Sequence, residues 1–227
     1  MGKQTAAQAR RKLDQAYRLL FDRYGPQHWW PGESPFEVIV GAILTQSAAW
    51  TNVEKAIHNL KERTLLDPAS LLRIPQDELA LLIYSSGYYN AKARKLKAFV
   101  EHLEERYGGG LDRLFALDVD ELRVELLSIH GVGEETSDSI ILYAAEKPIF
   151  VIDAYTRRIV DRMGLRPEQK SYAAYQALFK DALPHDLELF NEYHALLVRL
   201  GKETCRKKPD CSACCLRGVC KMHIGKC

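Results

Sequence analysis

Three groups of residues in this 227-residue chain have the types and spacing that chemistry requires. Gly131, Val132 and Gly133 follow an apolar stretch ending at Ile129 and precede one that opens with Glu134. Two glycines around an aliphatic residue let the backbone turn sharply and come close to a ligand, and a helix starting just after them points free N–H groups outward. Such a turn is an anion cradle. Further along, Asp153 stands alone behind Phe150, Val151 and Ile152, where a helix from Ala154 to Met163 is expected to begin. A lone Asp before a helix is by default an N-cap, but following the glycine turn it reads as a carboxylate placed for catalysis. The third group is cysteine. All six fall within residues 205–227, spaced Cys205-x5-Cys211-x2-Cys214-x5-Cys220, with Cys215 and Cys227 left over. Clustering argues against a disulfide framework spread through a secreted fold and for a metal. Four thiolates in sixteen residues can wrap either zinc or an iron–sulfur cubane, and the spacing does not choose. Between the first two cysteines lie Arg206, Lys207 and Lys208, which a metal would stiffen into a phosphate-binding knob.

The elements that must hold these groups read as helices throughout, so the expected fold class is all-α with roughly ten helices and short loops. Ser34-Pro35 precedes PFEVIVGAILTQ, apolar almost all round and expected to be a buried central helix. Thr51 and Glu54 predict a capping box, as do Asp118 and Glu121; Asp67-Pro68 starts a short helix, and Asn90 is placed to cap a long one that ends at Gly108. Residues 35–143 are expected to form a six-helix lobe ending in the glycine hairpin. Residues 1–34 with 144–227 would form a second lobe that includes the cysteine loop 205–220. A groove between two such lobes would present both the turn and Asp153.

Composition limits the function classes. With 47% hydrophobic residues the chain can bury a real core. No run of about 18 apolar residues appears, and the N-terminus lacks a secretory h-region, so an intracellular protein without a membrane span is expected. The net charge of +2 hides an asymmetry. Residues 199–227 hold eight Lys or Arg against two acids, giving +6 there and leaving −4 for the rest. A concentrated basic face without an amphipathic aromatic segment suits a phosphate backbone better than a membrane.

The glycine hairpin IHGVG, the aspartate of VIDAYTRR and the C-terminal four-cysteine loop, in that order, resemble the helix-hairpin-helix base-excision DNA glycosylases of the endonuclease III superfamily, over residues 29–220. The resemblance implies a two-lobed helical fold and a [4Fe-4S] cluster, rather than zinc, on Cys205, Cys211, Cys214 and Cys220. The first cysteine spacer is five residues where the family usually has six. It also implies that Ile129, Gly131, Val132 and Gly133 grip the DNA strand, with a monovalent cation at the hairpin, that Gln46 is the wedge filling the vacated stack, and that Lys207 and Lys208 contact phosphate. Bifunctional members carry a lysine in a pattern like GVGRKTA; GVGEETS puts Glu135 at that position. A carboxylate cannot form a Schiff base, so water is expected to be the nucleophile and the strand to stay intact. The block from Trp29 to Ile57 is similar to the 3-methyladenine DNA glycosylase III branch, which implies a base pocket built from Trp29, Trp30, Pro31 and Trp50.

The expected function is thus hydrolysis of the N-glycosidic bond of a flipped alkylated purine such as 3-methyladenine, with Asp153 catalytic. The expected partner is double-stranded DNA carrying a damaged base, and the protein is expected to be a monomer associated with the nucleoid in the cytoplasm. The alternatives are another lesion (uracil, thymine in a mismatch, an oxidised pyrimidine, mispaired adenine) or a non-catalytic module that binds distorted DNA.

Overall fold

The computed structural model describes residues 6–222. Among them every regular element is helical: twelve α-helices and one 3-10 turn. The chain divides into two compact units, Trp30–Lys147 and the combination of Met1–Trp29 with Pro148–Cys227.

The Trp30–Lys147 unit is built around α2 (Pro35–Leu44), nine of whose ten residues are buried. Ser34 caps it, its hydroxyl accepting from Glu37 N, and proline occupies the first turn, where its missing N–H costs nothing. A helix apolar on all sides must be covered on all sides, and α3 (Trp50–Glu62), α6 (Tyr89–Tyr107) and α9 (Glu134–Tyr143) pack around it. The short helices α4 (Pro68–Arg73), α5 (Gln76–Leu82) and α7 (Leu111–Phe115) fill the periphery, and α8 (Val119–Ser128) pairs with α9. Burial pushes the pKa of Lys92 down to about 8; its ammonium donates to Leu44 O (2.7 Å) and Ser86 O (2.6 Å), serving carbonyls at the ends of α2 and the 3-10 turn.

The second unit consists of α1 (Ala6–Tyr24), α10 (Ala154–Met163), α11 (Tyr172–Lys180) and α12 (Leu187–Glu203), followed by the cysteine segment. Its core stacks Phe150 on Phe179 (centroids 3.7 Å apart) and sets Phe190 and Tyr193 edge-on to Phe150. Such aromatic pairs stabilise beyond the area they bury.

Local capping signals succeed in most places. Asp67, Asp118 with Glu121, and Asp153 cap as the sequence predicts. Two do not. Trp50 is already inside α3, its indole N–H donating to Glu54 (2.8 Å), so the expected Thr51–Glu54 capping box is not formed and Ala49 is the N-cap. The helix assigned to an Asn90 cap starts at Tyr89 instead, behind a left-handed Tyr88 (φ 45°), with the buried Lys92 fixed in its first turn.

Candidate active site and nucleic-acid interface

In the Trp30–Lys147 unit, α8 and α9 form a hairpin. Val132 N closes the turn on Ile129 O (3.1 Å), and the side chains of both residues are buried, so hydrophobic anchors hold the bend. Gly131 has φ +85°, and a Cβ there would lie 2.3 Å from Lys95 Cγ; both facts require glycine. Gly133 is the N-cap of α9 and supplies no side-chain acceptor. A glycine at the N-cap leaves room for an acceptor to approach the start of α9 closely. Within the hairpin, Arg123 Nε bonds the fully buried Asp138 carboxylate (2.7 Å) and reaches Glu134 at 3.5 Å, offsetting acidic charge near the turn. Glu135 is exposed on the first turn of α9.

The structure gives Gln46 a specific place. Its amide N–H donates to Gly131 O (3.1 Å) and Thr136 Oγ1 (2.9 Å), and its carbonyl accepts from Lys95. The side chain is thus tied to the hairpin, half-buried, and acting as a wedge requires it to leave these bonds.

Trp30 lies against α2, where a Cβ on Gly41 would come within 3.1 Å of the indole. It meets Trp50 edge-on (5.3 Å, 86°) and Tyr143 at a tilt (5.4 Å, 51°). That geometry leaves no parallel slot between Trp30 and Trp50. Tyr143 completes this aromatic cluster and was not anticipated; it ends α9 as one more apolar residue, without a local signal. Pro31 is exposed nearby in sequence. Trp29 belongs to the other unit, with Lys202 Nζ 5.7 Å from its ring centroid. Tyr84 and Tyr88, before α6, are 64% and 76% exposed, faces on which a base could stack.

In the other unit, Asp153 sits at the N-cap of α10 with Oδ1 accepting from Thr156 N (2.6 Å). The approach to it is fixed: Tyr172 Oη accepts from Ile152 N (3.1 Å), and Gln176 donates to Phe150 O (2.8 Å). Asp153 as a whole residue is only 8% exposed. Its Oδ2 lies 3.9 Å from His194 Nε2 on α12. Burial lowers the pKa of His194, against the opposing field of Asp153.

Further along the same helix, Arg158 donates to Cys205 O (2.8 Å) and Gly201 O (3.0 Å), while Arg162 reaches Cys205 Sγ (3.1 Å), Arg206 O (2.7 Å) and Lys207 O (3.1 Å). One ten-residue helix, about 15 Å long, thus carries Asp153 at its start and secures the cysteine segment at its end. Cys205, Cys211, Cys214 and Cys220 line one pocket there. Among the described residues no three His, Cys, Asp or Glu side chains already form a metal cage. Arg206, Lys207 and Lys208 are exposed, and Cys227 lies outside the described residues. The two arginines were missed in the sequence because their partners are backbone carbonyls more than forty residues away.

Residues 40–185 match the family described as HhH-GPD superfamily base excision DNA repair protein. A putative DNA repair glycosylase of Methanocaldococcus jannaschii is 47% identical over 206 residues, covering 90% of this chain and 93% of that one. Among solved structures, a trapped endonuclease III–DNA covalent intermediate superposes with a TM-score of 0.82 at 24% identity, covering 98% of both chains. The 3-methyladenine DNA glycosylase of H. pylori bound to 1,N6-ethenoadenine gives 0.73 at 24% identity, covering 86% of this chain and 97% of that one.

Proposed function

We propose, from the premise that this chain belongs to the HhH-GPD superfamily of base excision DNA repair proteins and is a DNA glycosylase, that it is monofunctional and removes alkylated purines such as 3-methyladenine. The observation that carries the hydrolytic part is Glu135. It places an exposed carboxylate on the first turn after the hairpin, where strand cleavage through a Schiff base needs an amine.

A base inside a duplex must be flipped out, at a cost of a few kcal/mol, before its glycosidic bond is accessible. Ile129, Gly131, Val132 and Gly133 would hold a backbone phosphate at the start of α9, and a monovalent cation on turn carbonyls would add positive charge. Gln46, released from Gly131 and Thr136, would fill the gap. An alkylated purine is cationic, and electron-rich indoles attract it by roughly 0.5–2 kcal/mol; Trp30 and Trp50, with Tyr143, supply such faces. A neighbour in fold, the H. pylori 3-methyladenine DNA glycosylase, was solved bound to 1,N6-ethenoadenine, and that supports a purine as the substrate. The leaving group needs little help. Asp153, held by Thr156 N, would orient and deprotonate the attacking water and oppose the positive charge developing on the sugar.

The pocket lined by Cys205, Cys211, Cys214 and Cys220 offers the donor set of a [4Fe-4S] cluster, with zinc as the alternative. When bound, such a group would stiffen the loop that presents Lys207 and Lys208 to phosphate. The partner is damaged double-stranded DNA, which the protein would engage as a monomer on the nucleoid.

Purified protein is incubated with methylated duplex DNA, and with a panel of duplexes bearing single lesions, and the released bases are chromatographed. Release of 3-methyladenine with strands intact until alkali is added is the expected result. Prompt nicking by the protein would refute the hydrolytic reading, and release from another lesion only would refute the substrate.

A further inference from the structure

Asp153 and His194 are 41 positions apart in sequence, yet the fold buries their side chains face to face, with 11% and 7% of them exposed. The two carboxylate oxygens are not equivalent. Oδ1 is committed to Thr156 N, and Oδ2 faces Nε2 of the imidazole. Phe150 closes another side of the ring edge-on at 6.5 Å. Tyr193, adjacent on α12, is turned away to Leu13 O, and Arg158 on α10 is turned to Gly201 O and Cys205 O. Of these groups, the one that confronts His194 with charge is Asp153. A histidine that only filled the core would be replaced at lower desolvation cost by leucine, as at its buried neighbours Leu196 and Leu197.

We propose that His194 stores the proton that Asp153 takes from the attacking water, an inference that rests on the hydrolytic reading above. The balance of the step requires a store. As water attacks, one of its O–H bonds breaks, its oxygen bonds the sugar carbon, and the carbon–nitrogen bond breaks with its electron pair leaving on the base. That pair neutralises a cationic alkylated purine, so the departing base needs no proton and the water's proton is left over. On Asp153 alone it would cancel the charge that opposes the oxocarbenium-like sugar. Transfer from Oδ2 to Nε2 restores the carboxylate; it needs the tautomer in which Nε2 is unprotonated and a closing of about 1 Å from the present separation. Burial favours the neutral imidazole, the form that can accept a proton, and the adjacent Asp153 carboxylate favours the protonated form that results. His194 is thus a positioning and proton-holding residue that acts through Asp153 without touching the substrate.

The test uses the full-length protein and whichever duplex of the lesion panel the wild type processes fastest. Single-turnover base release is followed from about pH 5 to about pH 9 for wild type, Asp153→Asn, His194→Gln and His194→Asn, alongside duplex binding and thermal unfolding. The expected result is that both His194 variants bind the duplex as wild type does, release base roughly 10- to 100-fold more slowly, and lose the acid-side inflection due to His194. Wild-type rates and pH profile in His194→Gln would overturn the proposal. So would a loss equal at every pH and matched by weaker binding or earlier unfolding, because that is the signature of packing. Full activity in Asp153→Asn would instead bring down the hydrolytic reading itself, whatever the His194 variants do.

Discussion

The helices α9 and α10 begin in opposite ways. Gly133 starts α9 and contributes no capping side chain, whereas Asp153 starts α10 and accepts from Thr156 N at 2.6 Å. An open N-terminus is a site for someone else's negative charge; a capped one is a mount for the protein's own. In a glycosylase the two requirements are complementary. The DNA backbone needs donors that approach closely without bulk, and the reacting sugar needs a carboxylate that cannot swing away. The supporting chemistry differs accordingly. At the start of α9 it is glycine and backbone, with Gln46 bonded to Thr136 behind the turn; along α10 it is side chains, the buried His194 facing the carboxylate and Arg158 and Arg162 anchoring the far end.

The sharpest way to break the comparison is Asp153→Asn, which keeps an acceptor for Thr156 N and removes the charge. Single-turnover release should fall by about 10²- to 10⁴-fold, while the melting temperature stays near wild type because Asn and Asp cap equally well. A rate loss accompanied by a large drop in melting temperature would mean that the cap, not the charge, is what matters.

Gly131→Ala attacks the other helix. A left-handed residue with a Cβ costs roughly 1–2 kcal/mol, and the added atom meets the Lys95 side chain that steadies Gln46. Duplex affinity in a fluorescence titration should fall about tenfold, as 1.4 kcal/mol requires. Adding Lys95→Ala should recover only the steric part. Chemistry on bound duplex should change much less than in Asp153→Asn.

Charge and backbone contacts separate by salt. Lys207→Gln with Lys208→Gln should reduce the slope of log affinity against log salt by about 1 for each lysine. Gly131→Ala should weaken binding with little change of slope, because an N–H donor neutralises no phosphate.

The smallest effect is on stability. Burial lowers the pKa of His194, so below the ordinary histidine value of about 6.5 the unfolded chain takes up a proton that the folded one resists. Stability from this group is complete above that pH and declines as pH falls through it. Melting temperatures measured on the acid side should therefore drop less steeply in His194→Gln than in wild type.

What the sequence by itself determined is what lies within one turn of helix or one hairpin. Ser34, Asp67, Asp118 and Asp153 each accept from an N–H three residues on, a contact that needs no partner from elsewhere. The Gly131 turn is equally local, closed by Val132 on Ile129. Where a local signal failed, a longer-range demand had overridden it: the start of α3 follows Trp50 as it packs on Trp30, and the start of α6 follows Lys92 as it reaches Leu44 O. The tertiary structure alone decided the pairings across the chain. It tied Gln46 to Gly131 and Thr136, 85 and 90 residues away, set Tyr143 beside Trp30, and brought His194 to Asp153. The physical reason is one of information. A cap or turn is specified by φ, ψ and a side-chain length within a few residues, whereas a buried pair depends on how whole helices settle against one another, and an apolar stretch such as EYHALLV reads the same whether its histidine fills a gap or faces a carboxylate.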